Sequence, residues 1–201
     1  MKKKSNLLMS LFLVAVFIIG FAGSAYANNE IAEESSKVGI DMESLGFLEI
    51  DRKGNVQITE KYLNEVKKNL ENEGIEADIF IQGNSIEIIE KDQNVTLKNT
   101  QHLYAKSGGV TKIQWISKNK FKLYLNNKLC NKIMGGASIG AAISVLVPDP
   151  GVSQIIGAGL LAASGLIQAN NNGRGVIVSG VVNGYHIPNV PPIVFYWIKS
   201  Q

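Results

Sequence analysis

The chain has 201 residues, a formal net charge of +3, one cysteine and two histidines. A single cysteine excludes an internal disulfide, and two histidines without a neighbouring carboxylate do not make a metal site. The charges are sorted by position, since residues 28–98 carry 16 acidic against 8 basic side chains, whereas residues 99–201 carry 9 basic against 1 acidic. This partition predicts an acidic part that attracts and neutralises a basic part.

The first 27 residues have the layout of a secretory signal peptide. Lys2, Lys3 and Lys4 are followed by an apolar core of 16 residues, 7–22, and by Ala-Tyr-Ala at 25–27, which matches a small-x-small cleavage site. An uncleaved anchor is the alternative, but the core is short for a span of about 20 residues. We therefore expect a Sec-type signal peptide over 1–27 and secretion to the extracellular space or the cell surface.

An acidic module follows the signal peptide. Residues 28–44 are polar and acidic, which predicts a disordered lead-in. Residues 45–98 are predicted to be a small β-β-α-β-β module and a possible pro-region, because short alternating segments flank a helix with Thr59 and Gly74 at its two ends. Residues 99–111, where the charge changes sign, are predicted to be a linker.

Residues 112–201 form a basic, Gly-rich region, which we predict to be an antiparallel sheet with an inserted helical hairpin. Segments 112–116 and 121–125 alternate between apolar and polar residues, as in a half-exposed sheet. Asn183-Gly184 is a strong hairpin signal. The last strand, 193–198, is apolar on both faces, which predicts burial on both sides or contact with a membrane. The predicted fold class is therefore α+β.

The helical hairpin is predicted over 133–169, within a run whose only charged side chain is Asp149. The Pro-Asp-Pro-Gly segment at 148–151 divides this run, because neither proline can continue a helix. We therefore expect helices over about 133–147 and 152–169. Small residues recur every four positions on one face of each helix, which predicts close helix–helix packing through them; they are Gly136, Gly140, Ser144, Gly159 and Ala163.

Two interpretations of the hairpin stay open: buried core on a sheet, or a segment that enters a membrane. The membrane interpretation predicts contacts from basic, aromatic and apolar side chains, which are Lys112, Trp115, Lys118, Lys120, Lys122, Ile139, Ile143, Leu146, Ile155, Leu160, Leu166 and Trp197. Lysines are attracted to an anionic surface by up to about 1 kcal/mol each. On the other interpretation they form a solvated face, and the aromatic residues belong to the core.

No motif indicates catalysis, a cofactor or a metal. His102, Cys130 and His186 are the only histidine and cysteine residues, and no motif surrounds Cys130, so we expect a buried thiol. The glycines of the apolar run lack the lysine and strand context of a phosphate-binding loop. We therefore predict that the protein is not an enzyme, uses no cofactor and, as an exported protein, binds no nucleic acid.

The overall plan resembles secreted precursors of bacteriocin-like peptides from Gram-positive bacteria. The resemblance lies in a signal peptide, an acidic pro-region and a cationic Gly/Ala-rich hairpin with aromatic flanks, although this basic region is longer and has no disulfide pair. It implies a membrane-active, antimicrobial precursor whose acidic module shields its cationic part. The alternative is a non-enzymatic secreted cell-surface or cell-wall binding protein with the hairpin as ordinary core. The expected partner is an anionic membrane surface or cell-wall polymer.

Overall fold

The computed structural model describes residues 40–91, 108–136, 139–183 and 190–201. It has an α+β fold, as predicted, and Val38–Gln201 form one compact unit. The predicted signal peptide, residues 28–39 of the lead-in and residues 99–107 of the predicted linker lie outside the described residues.

The first part of the fold is a hairpin followed by a helix. β1 (Leu48–Ile50) and β2 (Val56–Ile58) pair as a two-stranded antiparallel sheet. Helix α1 (Glu60–Asn72) begins where the Thr59 side chain accepts a hydrogen bond from the Tyr62 backbone N–H, and it ends before Gly74 at a φ of 64°. Both ends of this helix are those predicted from the sequence.

The remaining strands form a six-stranded antiparallel sheet in sequential order. Its strands are β3 (Ala77–Gln82), β4 (Ser85–Glu90), β5 (Thr111–Trp115), β6 (Lys120–Leu125), β7 (Val176–Val182) and β8 (Ile193–Ser200). The register aligns apolar residues on five neighbouring strands, namely Ile86, Ile113, Leu123, Val178 and Ile198. This face of the sheet carries the core, because the first four of these residues are buried and Ile198 packs against them.

The sheet continues across the change of charge sign. We expected the acidic module and the basic region to be separate parts, but β4 pairs with β5 from Ser85↔Gln114 to Ile88↔Thr111. The backbone N–H and C=O groups along one side of β4 need hydrogen-bond partners, and β5 supplies them. The acidic and basic segments therefore share one sheet and one core.

The end of the predicted disordered lead-in is packed onto the fold. Met42 is fully buried, and its backbone N–H donates to the Lys118 carbonyl. Residues 40–44 are therefore ordered, because burial of one long apolar side chain fixes their position.

The first predicted helix, 133–147, is replaced by two shorter helices. Helix α2 (Asn127–Met134) begins earlier, where the Asn126 side chain caps the Leu129 backbone N–H, and it ends at Gly135. Gly136 follows with a φ of 70°, which an L side chain rarely adopts. Helix α3 (Gly140–Ser144) comes after this break.

The second predicted helix, 152–169, is bent. Helix α4 (Pro150–Ala162) starts at a proline, and Asp149 caps it by accepting from the Val152 backbone N–H. Pro150 fits there because the first helical N–H has no partner within the helix. Helix α5 (Ser164–Asn170) follows after a 67° bend. The segment 148–151 therefore begins α4, whereas α3 already ends at Ser144.

Strand β8 is not buried on both faces, which was one of the two outcomes predicted for it beside contact with a membrane. It is one of the two edge strands of the sheet, and exposed residues such as Val194, Tyr196 and Trp197 alternate irregularly with partly buried ones. A register shift beside Ser179 and Gly180 causes the irregularity. The partner strand expected after Asn183 lies outside the described residues.

Candidate binding surface

The apolar helical residues predicted to contact a membrane belong mostly to the core. Ile139, Ile143, Leu146, Ile155 and Leu160 are at most 2% exposed. Leu166 on α5 is the exception, at 61% exposure. In this conformation the helices therefore offer little apolar surface to a bilayer. These five residues are core residues of the fold.

Helix α1 holds the chain around the end of α3 through side-chain hydrogen bonds. The Tyr62 hydroxyl donates to the Leu146 carbonyl oxygen and accepts from Trp115 Nε1 at 3.0 Å. Asn69 Nδ2 donates to the Ser144 carbonyl oxygen at 2.8 Å. Burial raises the pKa of Tyr62, against a smaller lowering by the Trp115 hydrogen bond, so the phenol stays protonated. Trp115, predicted as a membrane contact, is instead a buried core residue.

The small residues predicted to pack two helices against each other do not lie together at one helix–helix contact. Gly136 lies in the turn after α2, Gly140 and Ser144 are the two ends of α3, and Ala163 lies at the bend between α4 and α5. Gly159 faces the sheet, since a Cβ there would meet Ile193 Cγ2 at 2.8 Å.

Helices α3 and α4 do pack together, but another glycine faces this contact. A Cβ on Gly157 would lie 3.9 Å from Ile139 Cγ1. That distance is an ordinary van der Waals contact, so Gly157 lies against Ile139 without being required there, whereas Gly159 is required for the close approach of α4 to β8. This corrects the prediction of one shared small face.

Lys118, one of the four lysines predicted to contact a membrane, has a carboxylate partner. Its Nζ lies 3.0 Å from Asp41 Oδ2 in the turn between β5 and β6. Burial raises the pKa of Asp41, but hydrogen bonds from Lys118 and from the backbone N–H groups of Ser44 and Glu43 outweigh it and lower that pKa. The same hydrogen bond raises the pKa of Lys118. Lys118 therefore fastens the start of the described chain to the sheet.

The other three lysines predicted to contact a membrane, Lys112, Lys120 and Lys122, lie on the sheet face opposite the core. Side chains alternate between the two faces of a strand, so the neighbours of the buried residues on β5–β8 share this second face. We call these eleven residues the open face: Lys112, Gln114, Lys120, Lys122, Tyr124, Ile177, Ser179, Val181, Val194, Trp197 and Lys199. Neither β5, β6, β7 nor β8 contains an acidic residue. Glu87 on β4 lies opposite Lys112 in the register and marks the border of the open face.

Two lysines of the open face lie near aromatic rings. Lys199 Nζ is 4.3 Å from the ring centroid of Trp197, and Lys112 Nζ is 5.8 Å from that of Tyr124. Such contacts contribute about 0.5–1 kcal/mol at exposed sites. Trp197 is 49% exposed, so an apolar ring and a cation are presented together at the sheet edge.

The candidate list from the sequence omitted seven residues of the open face, among them Tyr124, Ser179 and Lys199. The period-2 alternation places Tyr124 beside Lys122 on one strand face and Lys199 beside Trp197 on another. That signal was present in the sequence for each strand separately. The pairing of β6 with β7 and of β7 with β8, which brings the three residues onto one surface, was visible only in the structure.

Cys130 has the environment of a core residue, as predicted. It is fully buried, its Sγ lies 3.4 Å from the Leu125 carbonyl oxygen, and burial raises its pKa to about 11. A thiol with this pKa is a weak nucleophile at neutral pH, because little thiolate is present. His102 and His186 lie outside the described residues.

Within the described ranges, no group of three or more His, Cys, Asp or Glu residues could hold a metal ion. No single helix of those ranges is long and apolar enough to cross a membrane, although α4 and α5 together pass that test as a bent pair. Comparisons with protein-family models, with curated proteins and with solved structures found no match to this chain.

Proposed function

We propose that this is a secreted, non-enzymatic binding protein whose open face binds an anionic polymer of a cell surface. The observation that carries the proposal is the composition of that face. It has four lysines and two aromatic residues, and its strands contain no carboxylate. Cations clustered on one face attract a polyanion more strongly than the overall charge would, since residues 28–201 carry 17 basic and 17 acidic side chains.

The arrangement of the lysines favours an extended ligand. Lys112 on β5 and Lys122 on β6 lie one row apart, and Lys199 on β8 shares the row of Lys112. Neighbouring strands are about 4.8 Å apart, so this row extends about 14 Å across three strand spacings. A polymer with a phosphate on each repeating unit can meet several of these cations at once, which a single small anion cannot.

The positions of the helices favour binding of a polymer rather than insertion into a bilayer. The apolar helices pack on the opposite face of the sheet, and α1 holds them there through Tyr62 and Asn69. Binding on the open face requires no rearrangement of this core, whereas insertion of α4 would break it. Helix α1 also lies on the core side of the sheet, beside Trp115, so it leaves the lysines of the open face accessible.

The experiment compares two triple variants with equal loss of charge. One replaces Lys112, Lys122 and Lys199 of the open face by Gln. The control replaces three exposed lysines elsewhere, Lys53, Lys67 and Lys132, by Gln. Affinity for poly(glycerol phosphate) is measured by isothermal titration calorimetry at about 0.1 M salt, where the screening length is about 10 Å.

We expect the open-face variant to bind at least tenfold more weakly than the wild type, and the control variant to lose less than threefold. Equal losses of affinity in both variants would show that the polymer is attracted by net charge alone. The open face would then be rejected as the binding site. No binding by the wild type would reject the function itself.

A membrane-active precursor is the second candidate, and the bent apolar pair α4 and α5 favours it. On this hypothesis α1 restrains the helices until they meet a bilayer. Dye release from vesicles of anionic lipid separates the two candidates. The polymer proposal predicts no release, whereas the membrane hypothesis predicts release that increases when Tyr62→Phe and Asn69→Ala loosen α1.

A further inference from the structure

Ser179 occupies an unusual position on the open face. Its hydroxyl is buried and has no hydrogen-bond partner, the only such side-chain oxygen or nitrogen among the residues that the structure describes. Buried polar groups in folded proteins almost always have a partner, so an exception requires an explanation. A ligand oxygen that accepts from this hydroxyl would supply the missing partner.

The register surrounds Ser179 with two longer side chains. Lys122 on β6 and Trp197 on β8 are its direct cross-strand partners. The row therefore presents a cation, a hydroxyl donor and an indole ring on three neighbouring strands. Opposite side chains in such a row lie about 5 Å apart, which is a distance that one small chemical group can bridge.

A register shift beside Ser179 and Gly180 interrupts the pairing of β7 with the edge strand β8 where this row ends. Tyr196 is the extra residue, and both it and Trp197 are about half exposed, at 58% and 49%. Bulges redirect side chains at sheet edges, where they often stand beside binding sites. The buried hydroxyl is therefore next to an edge at which side chains can move aside without loss of core contacts.

We propose that Lys122, Ser179 and Trp197 form a subsite for one phosphate-bearing polyol or sugar unit of the polymer, an inference that rests on the proposed function. Lys122 Nζ and the Ser179 hydroxyl donate to the unesterified oxygens of the phosphate. Trp197 packs against the C–H groups of the polyol or sugar. The remaining lysines of the open face bind neighbouring phosphates of the same chain.

The test uses the whole secreted protein with Ser179→Ala and, as a matched control, Ser85→Ala. Ser85 lies in the same row of the sheet, but its hydroxyl donates to the Gln82 carbonyl at 3.0 Å. Affinity for poly(glycerol phosphate) is measured by calorimetry at several salt concentrations. Ser179→Ala removes an unpaired hydroxyl, so the variant should fold as well as the wild type.

We expect Ser179→Ala to weaken binding about tenfold at every salt concentration, because the lost donor is uncharged. Lys122→Gln should instead reduce the dependence of affinity on salt. Wild-type affinity in both serine variants would overturn the subsite and leave the function intact. A wild-type protein that does not bind the polymer would overturn both.

Discussion

At the scale of single residues, Tyr62 joins three distant parts of the chain. Its hydroxyl accepts from Trp115 on β5 and donates to the carbonyl of Leu146 after α3, and all three residues are fully buried. A buried donor and a buried acceptor both depend on one oxygen atom. Burial of this side chain and these hydrogen bonds help to fix the acidic segment to the apolar helices.

Tyr62→Phe should destabilise the protein by about 1–3 kcal/mol, because it leaves the indole N–H and the Leu146 carbonyl without partners in the core. Urea unfolding followed by circular dichroism measures the difference. Tyr124→Phe on the open face is the control and should change stability by less than about 0.5 kcal/mol. Equal stability of the Tyr62→Phe and wild-type proteins would show that water or a relaxed backbone replaces the hydroxyl.

Asp41 makes stability depend on acidity. Its pKa is lower in the folded protein than in the unfolded chain, so the ionised form stabilises the fold above the unfolded value of about 3.9. This stabilisation disappears as the pH falls through the folded pKa. Lys118 is exposed, so the contribution of the pair is at most about 1 kcal/mol.

Asp41→Asn should therefore lower stability at pH 7 and lower it less at pH 2.5. Urea midpoints at the two pH values measure this difference, with Glu65→Gln as a control for an exposed carboxylate of α1. A loss of the same size at both pH values would mean that the hydrogen bonds of Asp41 do not depend on its charge.

At the scale of elements, the glycines of the apolar run differ in what they contact. Gly159 on α4 lies against β8, where a Cβ would be 3.1 Å from the Phe195 ring and closer to Ile193. Gly165 on α5 has no atom within 4 Å of a Cβ position. Gly159 therefore permits α4 to approach β8, whereas Gly165 faces open space.

Gly159→Leu should destabilise the protein by about 1–3 kcal/mol through overpacking against β8. Gly165→Ala should stabilise it by a few tenths to about 1 kcal/mol, because alanine restricts the unfolded chain and favours a helix. Thermal unfolding measures both changes. If both substitutions stabilised the protein alike, α4 would not be in close contact with the sheet.

The elements that sequence analysis predicted are those with local signals. Alternation defined the strands, and Thr59 and Gly74 defined both ends of α1. The break at Gly135-Gly136 was mistaken for a packing face, because a helix-ending glycine and a packing glycine look the same in a sequence. The pairing of β4 with β5 joins residues more than 20 positions apart, and no local pattern encodes it.

At the scale of the whole molecule, the acidic and basic segments share one fold. Among the described residues, two ion pairs with exposed lysines join them, Lys118 with Asp41 and Lys128 with Glu90. Exposed pairs contribute little to stability, and the shared sheet and core contribute far more. The partition of charge therefore matters less for folding than for the surface that β5–β8 present.

Salt should weaken binding of the polymer much more than it changes the stability of the fold. An increase from 0.1 to 1 M NaCl shortens the screening length from about 10 to about 3 Å. Affinity for poly(glycerol phosphate) should fall at least tenfold, whereas the urea midpoint should shift only slightly, because the core is apolar. Calorimetry and urea unfolding in the same buffers measure the two quantities. Affinity that resists 1 M salt would indicate apolar binding and contradict the charge-based account.

Lysine footprinting tests most directly whether the open face binds the polymer. The protein is acetylated with and without poly(glycerol phosphate), and mass spectrometry measures the modification of each lysine. We predict protection of Lys112, Lys120, Lys122 and Lys199 and unchanged modification of Lys53, Lys67 and Lys132. Equal protection of all exposed lysines, or protection confined to those outside β5–β8, would contradict the account.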